Sequence, residues 1–161
     1  MKVIAKLEKI VAATGLEMMR LVAVPEAGAS DIEIAALAHV LPRSLGKTHE
    51  AILRRWNGLN VDIIRVFRAG PSIKKLPGLA DHQHPPLSGM PGVIIFANDP
   101  SGFQYGEAGT GEILCFDHDG GEVKKLSSSM EEFFDELIFG ASAAEFAGQD
   151  WHDELAAAGI I

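Results

Sequence analysis

The chain has 161 residues, 47% of them hydrophobic and 22% charged, a balance that fits a soluble globular protein and excludes disorder, collagen and coiled coil. At this length one unit over 1–161 is expected, large enough to bury roughly two-thirds of its unfolded surface. The lone cysteine, Cys115, excludes an intramolecular disulfide and a multi-cysteine zinc site, and it fits a reducing, cytoplasmic setting.

The net charge of −8 is unevenly placed. Residues 1–80 hold 12 Lys and Arg against 7 Asp and Glu, whereas residues 81–161 hold 2 against 15. A concentrated acidic surface repels nucleic acid and phospholipid and steers basic proteins toward itself. Neither nucleic acid nor membrane is therefore an expected partner. Lys2, Lys6, Glu8 and Lys9 also break the N-terminal apolar stretch, and no run approaches the ~18 apolar residues of a membrane span.

In chain order, Val3, Leu7, Ile10 and Val11 predict an amphipathic helix over Lys2 to Ala13 that stops at Gly15. A strand is expected over Leu16 to Val24, then a break from Pro25 to Ala29, so that 1–29 forms an N-terminal extension. Ser30 and Glu33 stand at capping-box spacing and open a helix whose face is Ile34, Leu37 and Ala38, ending near Leu41. Another helix runs from Lys47 to Trp56 and ends at Asn57-Gly58. Val61 to Phe67 reads as one strand, and the Pro- and Gly-rich segment 69–92 as a long functional or mobile loop.

Strands follow at Val93 to Ala97, Phe103 to Tyr105, Glu112 to Phe116 and Glu122 to Leu126, the last two joined as a hairpin by Asp117-His118-Asp119-Gly120-Gly121. Ser129 and Glu132 form a second capping box before a helix to about Phe139, stopped by Gly140. The tail 141–161 is helical, with Asp150 to Ala158 its main helix. Helices, then an antiparallel meander, then helices define an α+β class.

Catalytic signatures are scarce. Cys115 lies in the apolar run Ile113-Leu114-Cys115-Phe116 with no base beside it, and reads as a core residue. Asp81-His82-Gln83-His84 and Asp117-His118-Asp119-Gly120-Gly121-Glu122 are the two clusters with metal-ligand chemistry, but neither reaches a closed ligand set. No metal or other cofactor is expected. Arg43, Lys47, Arg54, Arg55, Arg65, Arg68, Lys74 and Lys75 make a basic middle segment, with only Trp56 and Phe67 as nearby aromatics for nucleic-acid stacking.

Leu45-Gly46-Lys47-Thr48-His49-Glu50-Ala51-Ile52-Leu53-Arg54-Arg55-Trp56-Asn57-Gly58 resembles the helix-to-Asn-Gly signature of the SUKH superfamily. Ile95 to Tyr105 is similar to its second element, a strand, a glycine-bearing polar turn and an aromatic strand. Gly111 to Asp119, Gly121-Glu122-Val123 and Ser129 to Leu137 are similar to its paired strands, acidic turn and closing helix. The likeness spans residues 31–139. It departs at Gly46 where proline is usual, at His49 where an aromatic is common, and at Met130 where Phe is usual.

The resemblance implies a curved antiparallel sheet with helices at its N- and C-terminal sides. It also implies a non-catalytic immunity protein that binds a cognate toxin, relatives in fungi being cell-wall assembly regulators. Such a toxin, of nuclease or deaminase type, would present a basic surface. The residues expected to meet it are Asp117, Asp119 and Glu122 on the hairpin turn and Asp99 on a neighbouring turn. Two other classes stay open at this point: a metal-dependent or hydrolytic enzyme using His82, His84 and His118, and a homo-oligomeric scaffold.

Overall fold

A computed structural model of the chain describes residues 1–13 and 27–161. The strand expected over 16–24, the stop at Gly15 and the start of the break at Pro25 lie outside the described residues. Among those described, six helices accompany one open, six-stranded antiparallel sheet, an α+β fold with a curved sheet as the pattern of elements predicts.

Helix α1 (Lys2–Ala12) buries Val3, Leu7 and Ile10, one face at helical spacing. Helix α2 (Asp31–Leu37) opens on a full capping box. The Glu33 N–H donates to Ser30 Oγ at 3.2 Å, and the Ser30 N–H to Glu33 Oε2 at 2.9 Å. It stops at Leu37 rather than near Leu41 because the N–H groups of Ala38, His39 and Val40 turn to carbonyls three residues back. Helix α3 (Lys47–Arg55) buries His49, Ile52 and Leu53.

Helix α3 ends at Arg55 rather than at Asn57-Gly58, because Trp56 is already extended at φ −140° and ψ 120°. The Asn57 side chain reaches across to α2, donating to Glu33 Oε1 at 3.0 Å and accepting the Ala69 N–H at 2.7 Å. Gly58 has φ +86°, and a Cβ there would lie 2.9 Å from Arg68 Cβ. Gly58→Val is therefore expected to destabilise the fold by about 1 kcal/mol or more. An unchanged urea midpoint would refute the strain.

The single strand expected over 61–67 is a tight hairpin. Strands β1 (Leu59–Val61) and β2 (Ile64–Val66) pair Val61 with Ile64 around the two-residue turn Asp62-Ile63. Asp62 takes φ +50°, a left-handed conformation that Asp tolerates better than most side chains. The sheet continues through β3 (Ile94–Asn98), β4 (Gln104–Glu107), β5 (Ile113–Asp117) and β6 (Glu122–Ser127). Its order β1-β2-β3-β4-β5-β6 is an unbroken meander with β1 and β6 at the edges.

Residues Ile94 to Ala97 of β3 are wholly buried because both faces of the sheet are covered. On one face Phe96 meets His49 of α3 and Phe133, with ring centroids 5.8 Å apart in each pair. On the other lies the segment 69–92. It is an ordered cover with buried Leu76, Leu79 and Leu87, two short 3₁₀ turns and a Gln83 side chain that brackets the Ile95 N–H and C=O at 2.9 and 2.7 Å. Three leucines without helical or strand period leave no pattern in sequence, which is why the segment reads as a loop.

Helix α4 (Met130–Glu132) starts where Ser129 Oγ accepts the Glu132 N–H at 3.1 Å, then widens without a break into a π-helix over Phe133–Ile138. Helices α5 (Ala143–Ala147) and α6 (Gln149–Ala157) complete the tail. Trp151 locks α6 down, its indole N–H donating to the Ile138 carbonyl at 2.6 Å. No helix among the described residues is long and apolar enough to cross a membrane.

Candidate functional site

The β5–β6 hairpin tip presents three of the four expected carboxylates. Asp117 pairs with Glu122 at the last rung, and Asp117 Oδ1 accepts the N–H groups of Asp119 at 3.0 Å and Gly120 at 3.3 Å. This Asx turn, with Gly121 at φ +63°, sets the bend. The side chains of Asp119 and Glu122 are 84% and 68% exposed, so both charges face solvent. His118 lies 3.1 Å from Asp119 Oδ1 and turns its ring toward Phe103 at 6.4 Å, which holds the tip against the β3–β4 turn.

Asp99 sits in that neighbouring turn, but it belongs to the interior. It is 7% exposed, and its carboxylate accepts the Ser101 N–H at 2.8 Å, the Phe103 N–H at 3.2 Å and the Tyr105 hydroxyl at 2.8 Å. Burial first, then Asp99 itself, pushes the Tyr105 phenol well above its usual range. Asp99 shapes the turn and contributes no outward carboxylate. The expectation that it lies on the acidic surface is corrected by its hydrogen bonds.

A second acidic feature, absent from the sequence reading, lies at the far end of β6. Two hollows of about 650 and 430 Å³ share Leu137 and Ser142 and so form one groove between the π-helix and α5. Its apolar lining is half-buried Leu126, Leu137 and Phe146, which rest on the core; all three line the smaller hollow, and Leu137 alone reaches the larger. Its rim carries Glu131, Glu132, Asp135 and Glu136 on one flank and Glu145 on the other. Gly140 makes the corner, since a Cβ there would collide with the Asp135 carbonyl. The corner lets the Ser142 N–H reach the Glu136 carbonyl at 3.2 Å.

The rim carboxylates differ in what they already hold. Glu132 accepts the N–H and hydroxyl of Ser128, which keeps its carboxyl below the usual range and hence ionised. Asp135 holds Lys6 of α1 at 2.6 Å. Among the described residues none makes a hydrogen bond or ion pair to the carboxylates of Glu131, Glu136 or Glu145, and all three residues are exposed.

The histidine clusters are built into the structure. Asp81 accepts from the Ser72 N–H and hydroxyl, His82 Nδ1 lies 3.1 Å from the Gly78 carbonyl, and Gln83 is committed to Ile95. The rings of His82 and His84 stand 6.0 Å apart. Asp117, His118 and Asp119 bring ligand atoms within 4.8 Å of one another, but Asp117 is already engaged by the turn's N–H groups.

Cys115 is 7% exposed, and burial, then Asp99 and Asp117, push its thiol up to about 12. Thiol reagents should therefore label the native protein slowly and the unfolded protein at once. Equal rates would show that β5 opens readily.

One further polar group is buried. Glu107 of β4 is 4% exposed, 3.3 Å from Arg43 and 3.7 Å from His49, which is wholly enclosed. Arg43 also donates to the carbonyls of Gly92, Glu107 and Ala108, at 2.7 to 2.9 Å. This cluster ties α3 and the segment before it to the sheet. No family model matches the chain, and no curated protein matches it.

Proposed function

We propose that this protein is a protein-binding module of immunity type, which holds a basic toxin through its acidic C-terminal half. The SUKH resemblance of residues 31–139 supplies the class, and a nuclease or deaminase that grips nucleic acid supplies the basic partner. The observation that carries the reading is the segregation of charge: 15 acidic residues against 2 basic ones over 81–161. Nine of the fifteen acidic residues are exposed, six of them at the hairpin tip (Asp119, Glu122) and the groove rim (Glu131, Glu132, Glu136, Glu145). An immunity protein has to capture its toxin quickly, and opposite-charge steering raises association rates by one to three orders of magnitude.

The test begins with capture of the partner by the tagged protein at low salt from the cells that make it, followed by association kinetics. Replacing Asp117 and Asp119 by Asn and Glu122 by Gln should slow association by about tenfold at low salt and flatten its salt dependence. Dissociation should change less, because exposed charges act mainly before contact. A captured partner of acidic surface, or an unaltered rate and salt slope, would refute this reading.

A further inference from the structure

The groove between the π-helix and α5 differs from the hairpin tip in having a floor. A solvated turn attracts any cation at long range, whereas a concave site with an apolar floor and a charged rim selects a ligand that carries both characters. An ammonium is already held against the same helix, from α1. Lys6 Nζ is held by Asp135 Oδ1 at 2.6 Å and by the carbonyls of Asp135 and Phe139, both at 3.3 Å. Carbonyls at the C-terminal end of the π-helix, where the dipole is negative, add to the attraction for an ammonium.

We infer that this groove is the docking site for an amphipathic basic segment of the partner protein, an apolar side chain seated over Leu137 and Phe146 and flanked by lysine or arginine. The inference rests on the proposed binding of a basic partner and names the chemistry of its contact. Glu131 and Glu136 stand on one flank and Glu145 on the other, so a segment lying along Leu137 meets carboxylates on both sides. A second copy of this chain is a poorer occupant. Its exposed Ile73-Lys74-Lys75 turn has the required character, but two molecules of net charge −8 repel each other at long range.

The probe is a pair of synthetic helical peptides of equal charge, one with Leu and Lys at i, i+3 and i+4 spacing, the other with Ser in place of Leu. Calorimetric titration into the full chain should give about tenfold tighter binding for the Leu-Lys peptide. Glu136→Gln with Glu145→Gln should weaken it by about tenfold, since exposed pairs each contribute little and two must be lost. Leu137→Ser should abolish the preference for Leu over Ser, with circular dichroism confirming the fold. The Asp117, Asp119 and Glu122 triple variant should bind the peptide as the parent does.

Equal affinity for the two peptides, or loss of binding in the hairpin variant alone, would overturn the assignment. So would sedimentation showing a dimer that the Glu136→Gln and Glu145→Gln variant dissolves, because the occupant would then be a second copy. The two failures are distinguishable. A captured basic partner that ignores the groove variants ends this inference and leaves the proposed function standing, whereas a captured partner of acidic surface ends both, whatever the peptides do.

Discussion

Phe133→Ala is expected to lower stability by about 3–5 kcal/mol, the upper range for deleting a buried aromatic. Phe133 is wholly buried at the first position of the π-helix, and its ring meets those of Phe96, Tyr105, Phe134 and Phe146 at centroid distances of 5.2 to 5.8 Å. These rings come from β3, β4, the π-helix and α5, so the cavity would open where the sheet, the closing helix and the groove's support converge. Urea denaturation measures the loss. A cost below about 1 kcal/mol would mean that the neighbouring rings collapse into the space.

Glu107→Ala should cost about 3–5 kcal/mol by a different mechanism, removal of one member of a buried charged cluster. Arg43 would keep its backbone acceptors, but His49, whose two ring nitrogens have no hydrogen-bond partner among the described residues, would face a void. Glu107→Gln should lose less, because it keeps the volume. The same cluster gives a pH dependence. Burial raises the Glu107 pKa, but His49 and Arg43 outweigh it and hold the carboxyl below its ordinary 4.5. The contribution is thus present above pH 4.5 and lost as pH falls through the lower, folded-state value. Acid melting of the parent should be steeper than that of Glu107→Gln, and parallel curves would exclude Glu107 as a source.

Local signals were legible and long-range ones were not. The Ser30 box and one half of the expected Ser129 box could be read because each closes over three residues with oxygens that seek nearby N–H groups, whereas the Glu132 carboxylate turns to Ser128 instead of the Ser129 N–H. The hairpin at 117–121 could be read from its Asp and Gly content. The β1–β2 hairpin escaped because Asp62-Ile63 lacks the glycine that usually marks such a turn. The π-helix escaped because six residues are too few to distinguish its period from that of an α-helix.

Asp99 was misplaced for a related reason: a carboxylate folded onto its own turn and one facing water have the same one-letter code. The Glu107 cluster joins residues up to 65 apart, beyond any local pattern. It also explains Gly46, since a Cβ there would strike the Glu107 carboxylate. Of the candidate site, the acidity of the C-terminal half was visible in composition. The groove was not, because its floor depends on a corner at Gly140 and a shared wall between two helices.

The meander order has a consequence for how the chain is made. Each strand from β1 to β6 pairs with its immediate sequence neighbour, so during translation the sheet can assemble one hairpin at a time, with short loops to close everywhere but at the long 67–93 connection between β2 and β3. Helix α1 can meet α3 early, with Glu8 and Arg55 2.9 Å apart, but it completes its seat later. The anchor of Lys6 on Asp135 lies 129 residues downstream, and the π-helix that α1 rests on is synthesised only after the last strand. The π-helix side of the α1 seat is therefore among the last contacts to form. Until then the apolar stripe of Val3, Leu7 and Ile10 lacks that side of its cover, a surface open to a chaperone on the nascent chain.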